Sequence, residues 1–377
     1  MTVSENFSVP ALILGAGAWG TALAIHWSRR AKPGQIVLWA RSADQLRQLQ
    51  EQRVNQRYLP AVPLPATLAL TPSLRDALIC FRERSQANAA GGLIVLACPV
   101  SGLSELASQI ARVLGPAQPG EGLVWLSKGL LQGSRAERFY WPSDLVREAV
   151  NNQWPMAALT GPSFALEVAQ GLPCGLTAAS DDLQFARRLA HICHGGGMRV
   201  YASDDLLGAE LGGAVKNIMA IAAGVADGLG LGANARAALL TRGLAETARL
   251  AVALGARPES MLGLAVLGDL VLTATGDLSR NRRVGLGLAK GGSLAQILAG
   301  LGHVAEGVNA SRAVAGLAEQ SGVDMPIVQA VCQLLSGERS AKEILSELLS
   351  RDPVDELDPS IVEATKDSAQ SQDAAKN

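Results

Sequence analysis

The run Val9-Pro10-Ala11-Leu12-Ile13-Leu14 leads straight into GAGAWG, residues 15 to 20, and from there into TALAIHWSRR, residues 21 to 30. A short apolar run bounded by glycine reads as a buried strand, and the stretch after the glycines carries a helical pattern closing on Arg29, Arg30 and Gly34. Strand, tight turn and helix are followed by a second short strand, QIVLWAR at 35 to 41, and by ADQLRQLQEQR, a helix on charge and periodicity. The order βαβ demands parallel strands joined by a right-handed crossover. Gly15, Gly17 and Gly20 satisfy G-x-G-x-x-G, in which the first glycine makes the turn, the second admits phosphate to the backbone and the third lets helix pack on strand. The motif alone is weak, but between a strand and a helix it predicts a pyrophosphate site on the free N–H groups of the helix N-terminus. A purely structural glycine turn is the competing reading.

The end of the second strand bears on the choice of dinucleotide. An NAD site usually presents Asp or Glu there to the ribose hydroxyls, whereas this chain has Arg41 followed by Ser42. Arginine accepts a 2′-phosphate, so NADP(H) is favoured, while Asp44 is close enough in sequence to leave NAD(H) open.

Residues 6 to 28 carry no Asp, Glu, Lys or Arg and are long enough to span a bilayer. The leader MTVSEN has an acid and no basic region, and Pro10 with the three glycines interrupts the apolar pattern, which argues against a signal peptide or membrane insertion. A formal charge of −1 leaves no field to draw nucleic acid, so the expected partners are small molecules. Cys80, Cys98, Cys174, Cys193 and Cys332 are scattered and odd in number, which fits a reducing cytoplasm better than a disulfide framework. His191-Ile192-Cys193-His194 lacks a second ligand cluster and reads as a helix end before Gly195-Gly196-Gly197, so no metal is expected.

Further strands are expected within GLIVLACP (92 to 99), GLVWLSK (122 to 128) and PMAALTGP (155 to 162), each separated by a helical segment. The predicted fold class is therefore α/β, an N-terminal Rossmann-like doubly wound sheet over residues 1–205, followed by an all-α domain over 206–349. CFRERSQANAAGG, 80 to 92, reads as a surface loop inserted after a helix ending near Ile79. The polar tail 350–377, with two Asp-Pro pairs, is expected to be largely disordered.

Polar residues cluster at element ends in SKGL (127 to 130), TGPSFALE (160 to 167), GGAVKNIMA (212 to 220) and GDLVLTATGDLSRN (268 to 281). With GAGAWG and VAEG at 304 to 307, and in this order, they resemble the bacterial-type NAD(P)-dependent glycerol-3-phosphate dehydrogenases from about residue 11 to about 345. The resemblance implies reversible reduction of dihydroxyacetone phosphate to sn-glycerol 3-phosphate, feeding phospholipid synthesis, with the active site between a nucleotide-binding and a helical domain. It makes Lys216 the proton donor and acceptor, its ammonium meeting the alkoxide that develops as hydride reaches the carbonyl carbon. Lysine titrates near about 10.4, and partial burial with a second cation, for which Lys128 is the candidate, lowers that toward working pH.

The same resemblance pairs Asp269 with Lys216 and gives the phosphate to Arg280 and Asn281 with Ser279. Thr273, four residues after Asp269, shares its face if the segment is helical. Asn217 is expected at the substrate hydroxyls, and Gly161 and Ser163 on the opposite wall. Trp19, Arg41, Lys128, Ala165, Arg280, Val304 and Glu306 fall on the cofactor side. Ala18 replaces a serine common in the family, removing a hydroxyl but not the backbone N–H, and Leu166 replaces an acid.

On the residues alone, Lys216 reads equally as a snorkelling side chain, Asp269 as a helix cap and Arg280-Asn281 as a surface turn. Two rivals stay open: a two-domain hydroxyacid dehydrogenase or ketoreductase of the same architecture, and a non-catalytic dinucleotide sensor. A homodimer is also left open.

Overall fold

The computed structural model describes residues 6–133, 138–301, 306–350 and 356. Val304 and nearly all of the tail 350–377 lie outside the described residues. The chain divides into two compact units, one of residues 1–128 and 140–206, the other of 129–139 and 207–377. The second unit thus takes in 129–139, a stretch expected within 1–205, and with it the short hairpin strand Leu131–Gln132 and Phe139 of its partner strand, the boundary falling at Tyr140.

The first unit is built on eight strands: β1 Ala11–Leu14, β2 Ile36–Trp39, β3 Ala69–Thr71, β4 Gly92–Leu96, β5 Glu121–Trp125, β6 Met156–Thr160, β7 Cys174–Ala179 and β8 Met198–Ser203. They lie in the order β8-β7-β6-β5-β4-β1-β2-β3. All neighbours run parallel except β6 and β7. Its helices are α1 Ala18–Ser28, α2 Ala43–Gln52, α3 Leu74–Gln86, α4 Leu103–Leu114, α5 Pro142–Ala149, α6 Ala165–Gln170 and α7 Leu183–Cys193.

Ala11, Ile13, Leu93 and Val95 join α1 and α7 in one apolar cluster, and the alternate residues Leu12, Leu14, Ile94 and Leu96 are equally buried. Side chains alternate along a strand, so burial of both sets means that both sheet faces are covered, and this explains why the strands read as unbroken apolar runs. The order in which strands are added to the sheet reverses between β1 and β4, which stay parallel, and Gly15, Arg41, Lys128 and Gly161 all lie beyond the carboxyl ends of parallel strands. Ligands bind at that end of such a sheet.

Residues 80–86 are not an inserted loop; they are the last turns of α3, with Phe81 and Ser85 buried in step with Ala77 and Leu78. The charged set Arg82, Glu83 and Arg84 hides this amphipathic face in the sequence. Only a short turn then precedes β4.

The second unit is helical apart from that hairpin: α8 Leu206–Gly228, α9 Gly232–Leu254, α10 Asp269–Thr275, α11 Arg280–Ala289, α12 Leu294–Leu301, α13 Glu306–Gln320, α14 Pro326–Ser336 and α15 Ala341–Leu349. Among the described residues α8 alone has the length and hydropathy of a membrane span, but 94% of its apolar window is buried inside the protein. It is a core helix. Its backbone touches that of α11, because a Cβ on Gly224 would overlap the Arg282 carbonyl and one on Gly285 the Ile221 carbonyl. Only glycine permits so close a crossing, which brings the start of α11 against the middle of α8.

Candidate active site

In the first unit the turn after β1 has three glycines with three different surroundings. Gly15 holds φ at +128°, and an added Cβ would overlap the Ala97 carbonyl beyond β4. A Cβ on Gly20 would overlap Gly15 O and press on Ala97. Gly17, the N-cap of α1, has no atom within 4 Å of a Cβ position. Nothing among the described residues demands glycine at 17, and the space beside it is open to a ligand.

No side chain caps α1, so the N–H groups of its first turn, at Ala18, Trp19 and Gly20, face no capping acceptor. Trp19 packs half-buried on the apolar core, and its Nε1 is buried with no acceptor among the described residues. An uncapped helix start, an open glycine and an orphaned donor together fit a bound dinucleotide.

Arg41 is exposed beyond β2 and makes no hydrogen bond or ion pair among the described residues. Burial pushes the Cys98 thiol up to about 11 against the opposing pull of the Arg41 charge, so the thiol is un-ionised at neutral pH. Ser42 caps α2, and Asp44 is held by Arg47 of its own helix at 2.7 Å. The one acid near this strand end is therefore partly neutralised by a neighbour, although the pair is largely exposed and weak. Lys128 Nζ and Ser163 Oγ both donate to the Gly161 carbonyl, at 3.1 Å and 2.9 Å. Ala165 is the first residue of α6, half-buried against the core.

In the second unit Lys216 projects from α8 and is only 8% exposed. Its Nζ donates to Asp269 Oδ1 at 2.6 Å and to Thr273 Oγ1 at 3.1 Å. Asp269 opens α10 and Thr273 stands one turn on, its hydroxyl also bonded to the Asp269 carbonyl at 2.6 Å. Both side chains thus face Lys216 because the segment is helical. The carboxylate holds the ammonium charged in a place where burial alone disfavours charge.

Beside it, Asn281 Nδ2 donates to Asn217 Oδ1 at 2.8 Å, and Asn281 Oδ1 accepts from Gly307 N at 3.1 Å. Asn217 Nδ2 in turn reaches the Gly213 carbonyl at 3.3 Å. These amides, expected from the sequence at the substrate phosphate and hydroxyls, are both engaged within the protein and tie α8, α11 and the start of α13 together. Ser279 caps α11, accepting from Arg282 N. Glu306, the first residue of α13, is half-buried.

The arginines of this segment divide cleanly. Arg282 pairs with Asp227 at 2.7 Å and with Asp277 at 2.9 Å, and Arg283 Nε donates to the Asp277 carbonyl at 3.0 Å. Arg280, at the first position of α11, is exposed and has no such partner among the described residues. A cation left uncommitted among the described residues, at a helix start that carries no acidic residue, suits an anionic group.

Two contributors escaped the sequence reading: Gln45 and Asn55 both donate to the Ala16 carbonyl within the glycine turn, at 2.7 Å and 3.0 Å. Asn55 sits in the polar run QRVNQRYLP, and nothing in its spacing marks it out.

Comparison with known proteins supplies the family. Residues 10–186 match the profile of the NAD-dependent glycerol-3-phosphate dehydrogenase N-terminus, and residues 205–346 that of the C-terminus. The chain is 50% identical over 358 residues to a protein from Polaromonas naphthalenivorans named glycerol-3-phosphate dehydrogenase [NAD(P)+], covering 92% of this chain and 98% of that one. It is also 50% identical over 344 residues to the protein of the same name from Paucimonas lemoignei, covering 91% and 97%. Among solved structures, glycerol-3-phosphate dehydrogenase from Coxiella burnetii superposes with a TM-score of 0.80 at 38% identity, covering 92% of this chain and all of that one.

Proposed function

This chain belongs to the NAD-dependent glycerol-3-phosphate dehydrogenase family and interconverts dihydroxyacetone phosphate and sn-glycerol 3-phosphate with NAD(P)H, and from that premise we propose the residues that carry the reaction. Lys216 is the general acid in reduction and the general base in oxidation. When bound, NAD(P)H supplies the hydride that adds to the carbonyl carbon as the C=O π bond breaks. Lys216 Nζ gives one proton to the carbonyl oxygen, yielding the secondary alcohol and a neutral amine that solvent reprotonates. As the oxygen gains charge, the ammonium also stabilises it electrostatically.

Asp269 and Thr273 orient that amine, one by charge and one by a neutral hydrogen bond. Arg280 and the N–H groups at the start of α11 take the substrate phosphate. Asn281 and Asn217 hold α11 against α8 so that the anion-binding cation keeps its place relative to the amine. Lys128, Gly161 and Ser163 complete the substrate contacts. Gly15 to Gly20 and Ala165 receive the dinucleotide, and Arg41 gives the preference for NADP(H) over NAD(H). Five free cysteines support a reducing compartment, such as the cytoplasm.

The observation that carries this reading is the buried Lys216–Asp269–Thr273 cluster, in the same unit as Arg280, which makes no hydrogen bond or ion pair among the described residues. A dinucleotide sensor has no use for a buried amine, and a 2-keto acid reductase needs a carboxylate site rather than a phosphate site. Steady-state oxidation of NADPH and of NADH with dihydroxyacetone phosphate or a 2-keto acid tests it. Turnover with dihydroxyacetone phosphate, faster with NADPH at limiting cofactor, is expected; preference for the keto acid would discard the phosphate assignment.

A further inference from the structure

We propose that Asn55, assisted by Gln45, is a positioning residue for dinucleotide binding: by pinning the Ala16 carbonyl it aims the Gly17 N–H at the pyrophosphate. The proposal rests on the reading of residues 15–20 as the pyrophosphate turn.

The Ala16 carbonyl accepts from Gln45 Nε2 at 2.7 Å and from Asn55 Nδ2 at 3.0 Å. The same Asn55 nitrogen donates to Thr21 Oγ1, on α1, at 2.8 Å. Asn55 is 2% exposed and arrives from the short strand Val54–Asn55 that follows α2. Gln45 comes from the first turn of α2, where its own backbone is fixed by the Ser42 cap. Two side chains from two separate elements thus converge on one carbonyl oxygen in a turn otherwise made of small residues.

The peptide joining Ala16 to Gly17 is trans, so its C=O and N–H point to opposite sides of one plane. Holding the oxygen toward Asn55 and Gln45 turns the Gly17 N–H away from them. Gly17 is the residue of the turn that borders open space. Donation to the carbonyl also polarises the peptide and sharpens its N–H as a donor, since bonds in a chain reinforce one another. Without these amides the peptide plane between two glycines is free to rotate, and each rotated state costs affinity for the anion.

The test is kinetic and uses the full chain. For Gln45→Ala, Asn55→Ala and Asn55→Asp, kcat and the KM values for NADPH, NADH and dihydroxyacetone phosphate are measured beside wild type. Loss of one neutral hydrogen bond corresponds to about 2- to 10-fold in affinity. We expect KM for NADPH and NADH to rise by the same factor, about 3-fold for Gln45→Ala and about 10-fold for Asn55→Ala. Because both dinucleotides share the pyrophosphate, their ratio stays put. Values of kcat and of KM for dihydroxyacetone phosphate stay within about 2-fold. Asn55→Asp, which sets an anion against the carbonyl, loses more than Asn55→Ala.

If kcat drops and the dihydroxyacetone phosphate KM rises together with the cofactor KM, Asn55 merely holds the domain together and the proposal is overturned. Unchanged cofactor KM in Gln45→Ala and Asn55→Ala overturns it too. Half-buried Gln45 keeps the question answerable if Asn55→Ala does not fold. Gly17→Val, in the same assays, separates the two levels. If it leaves cofactor KM unaltered, the pyrophosphate reading itself is wrong; if it alone raises KM, only the positioning role is.

Discussion

Lys216 and Asp269 lie 53 residues apart on different helices, yet their charged atoms meet at 2.6 Å with side chains only 9% and 2% exposed. A pair so buried is unforgiving, since removal of either charge strands the other in a low-dielectric site, at a cost of about 3–5 kcal/mol.

Lys216→Ala is expected to lower turnover by at least ~100-fold, the low end for general acid–base work, while NADPH affinity stays near wild type. Fluorescence titration with NADPH, alongside steady-state assays, separates the two quantities. Because Asp269 loses its partner, the variant also melts earlier, so activity is read well below its midpoint. Undiminished turnover in folded protein sinks the mechanism.

Asp269→Asn keeps the shape and one acceptor but removes the negative charge beside the amine. The protonated amine is then held less firmly and gives up its proton at lower pH. In the direction of ketone reduction, which needs the proton, the alkaline fall of kcat therefore moves to lower pH, and turnover at neutral pH drops. A pH–rate profile superimposable on wild type would show that Asp269 has no electrostatic role.

Arg280→Ala should raise KM for dihydroxyacetone phosphate by about 10- to 100-fold, the worth of a charge-assisted bond of roughly 1.5–3 kcal/mol. Arg283→Ala, whose parent arginine bonds the Asp277 carbonyl, should leave that KM within about 3-fold on the same ground. Equal effects at the two positions would mean that the segment acts through net charge alone.

Glu246 in the second unit gives a pH signature of stability. Burial pushes its carboxyl up from 4.5 to about 7, although Ile327 N donates to it at 3.0 Å and the Arg249 charge opposes the shift. The folded state holds this proton more tightly than the unfolded one, so its stabilisation is complete below pH about 4.5 and is lost as pH rises through about 7. The loss is on the order of 3 kcal/mol. His26 in the first unit works in the opposite sense: burial lowers it to about 4, so its contribution is present above pH about 6.5 and is lost as pH falls through about 4. Glu246→Gln should flatten the fall in denaturant midpoint between pH 5 and 8, leaving the acid-side loss from His26. An unchanged slope in Glu246→Gln would show that other groups set it.

Much of the first unit is visible in the one-dimensional pattern. Strands buried on both faces read as near-continuous apolar runs, as β1 and β4 do; β5 and β6 depart only at the terminal Glu121 and Thr160, and β2 is apolar throughout although Val37 and Trp39 are half-buried. β8 is different, with Arg199 and Tyr201 exposed along one face of an edge strand, and the sequence reading passed it over together with β7. The end of α3 was hidden for a related reason, because its charged residues face solvent and only Phe81 and Ser85 keep the helical period.

What the sequence determined by itself is what depends on neighbours along the chain. The spacing of Gly15, Gly17 and Gly20 marks a single turn between a strand and a helix, and Thr273 shares a face with Asp269 because four residues make about one helical turn. Tertiary structure alone decided which of the 34 acidic residues meets Lys216, which arginines pair with Asp277 and Asp227, and which amides hold the Ala16 carbonyl. Hydrogen bonds and buried charge pairs act over a few ångströms of space, and only the packing of distant helices and strands sets those distances.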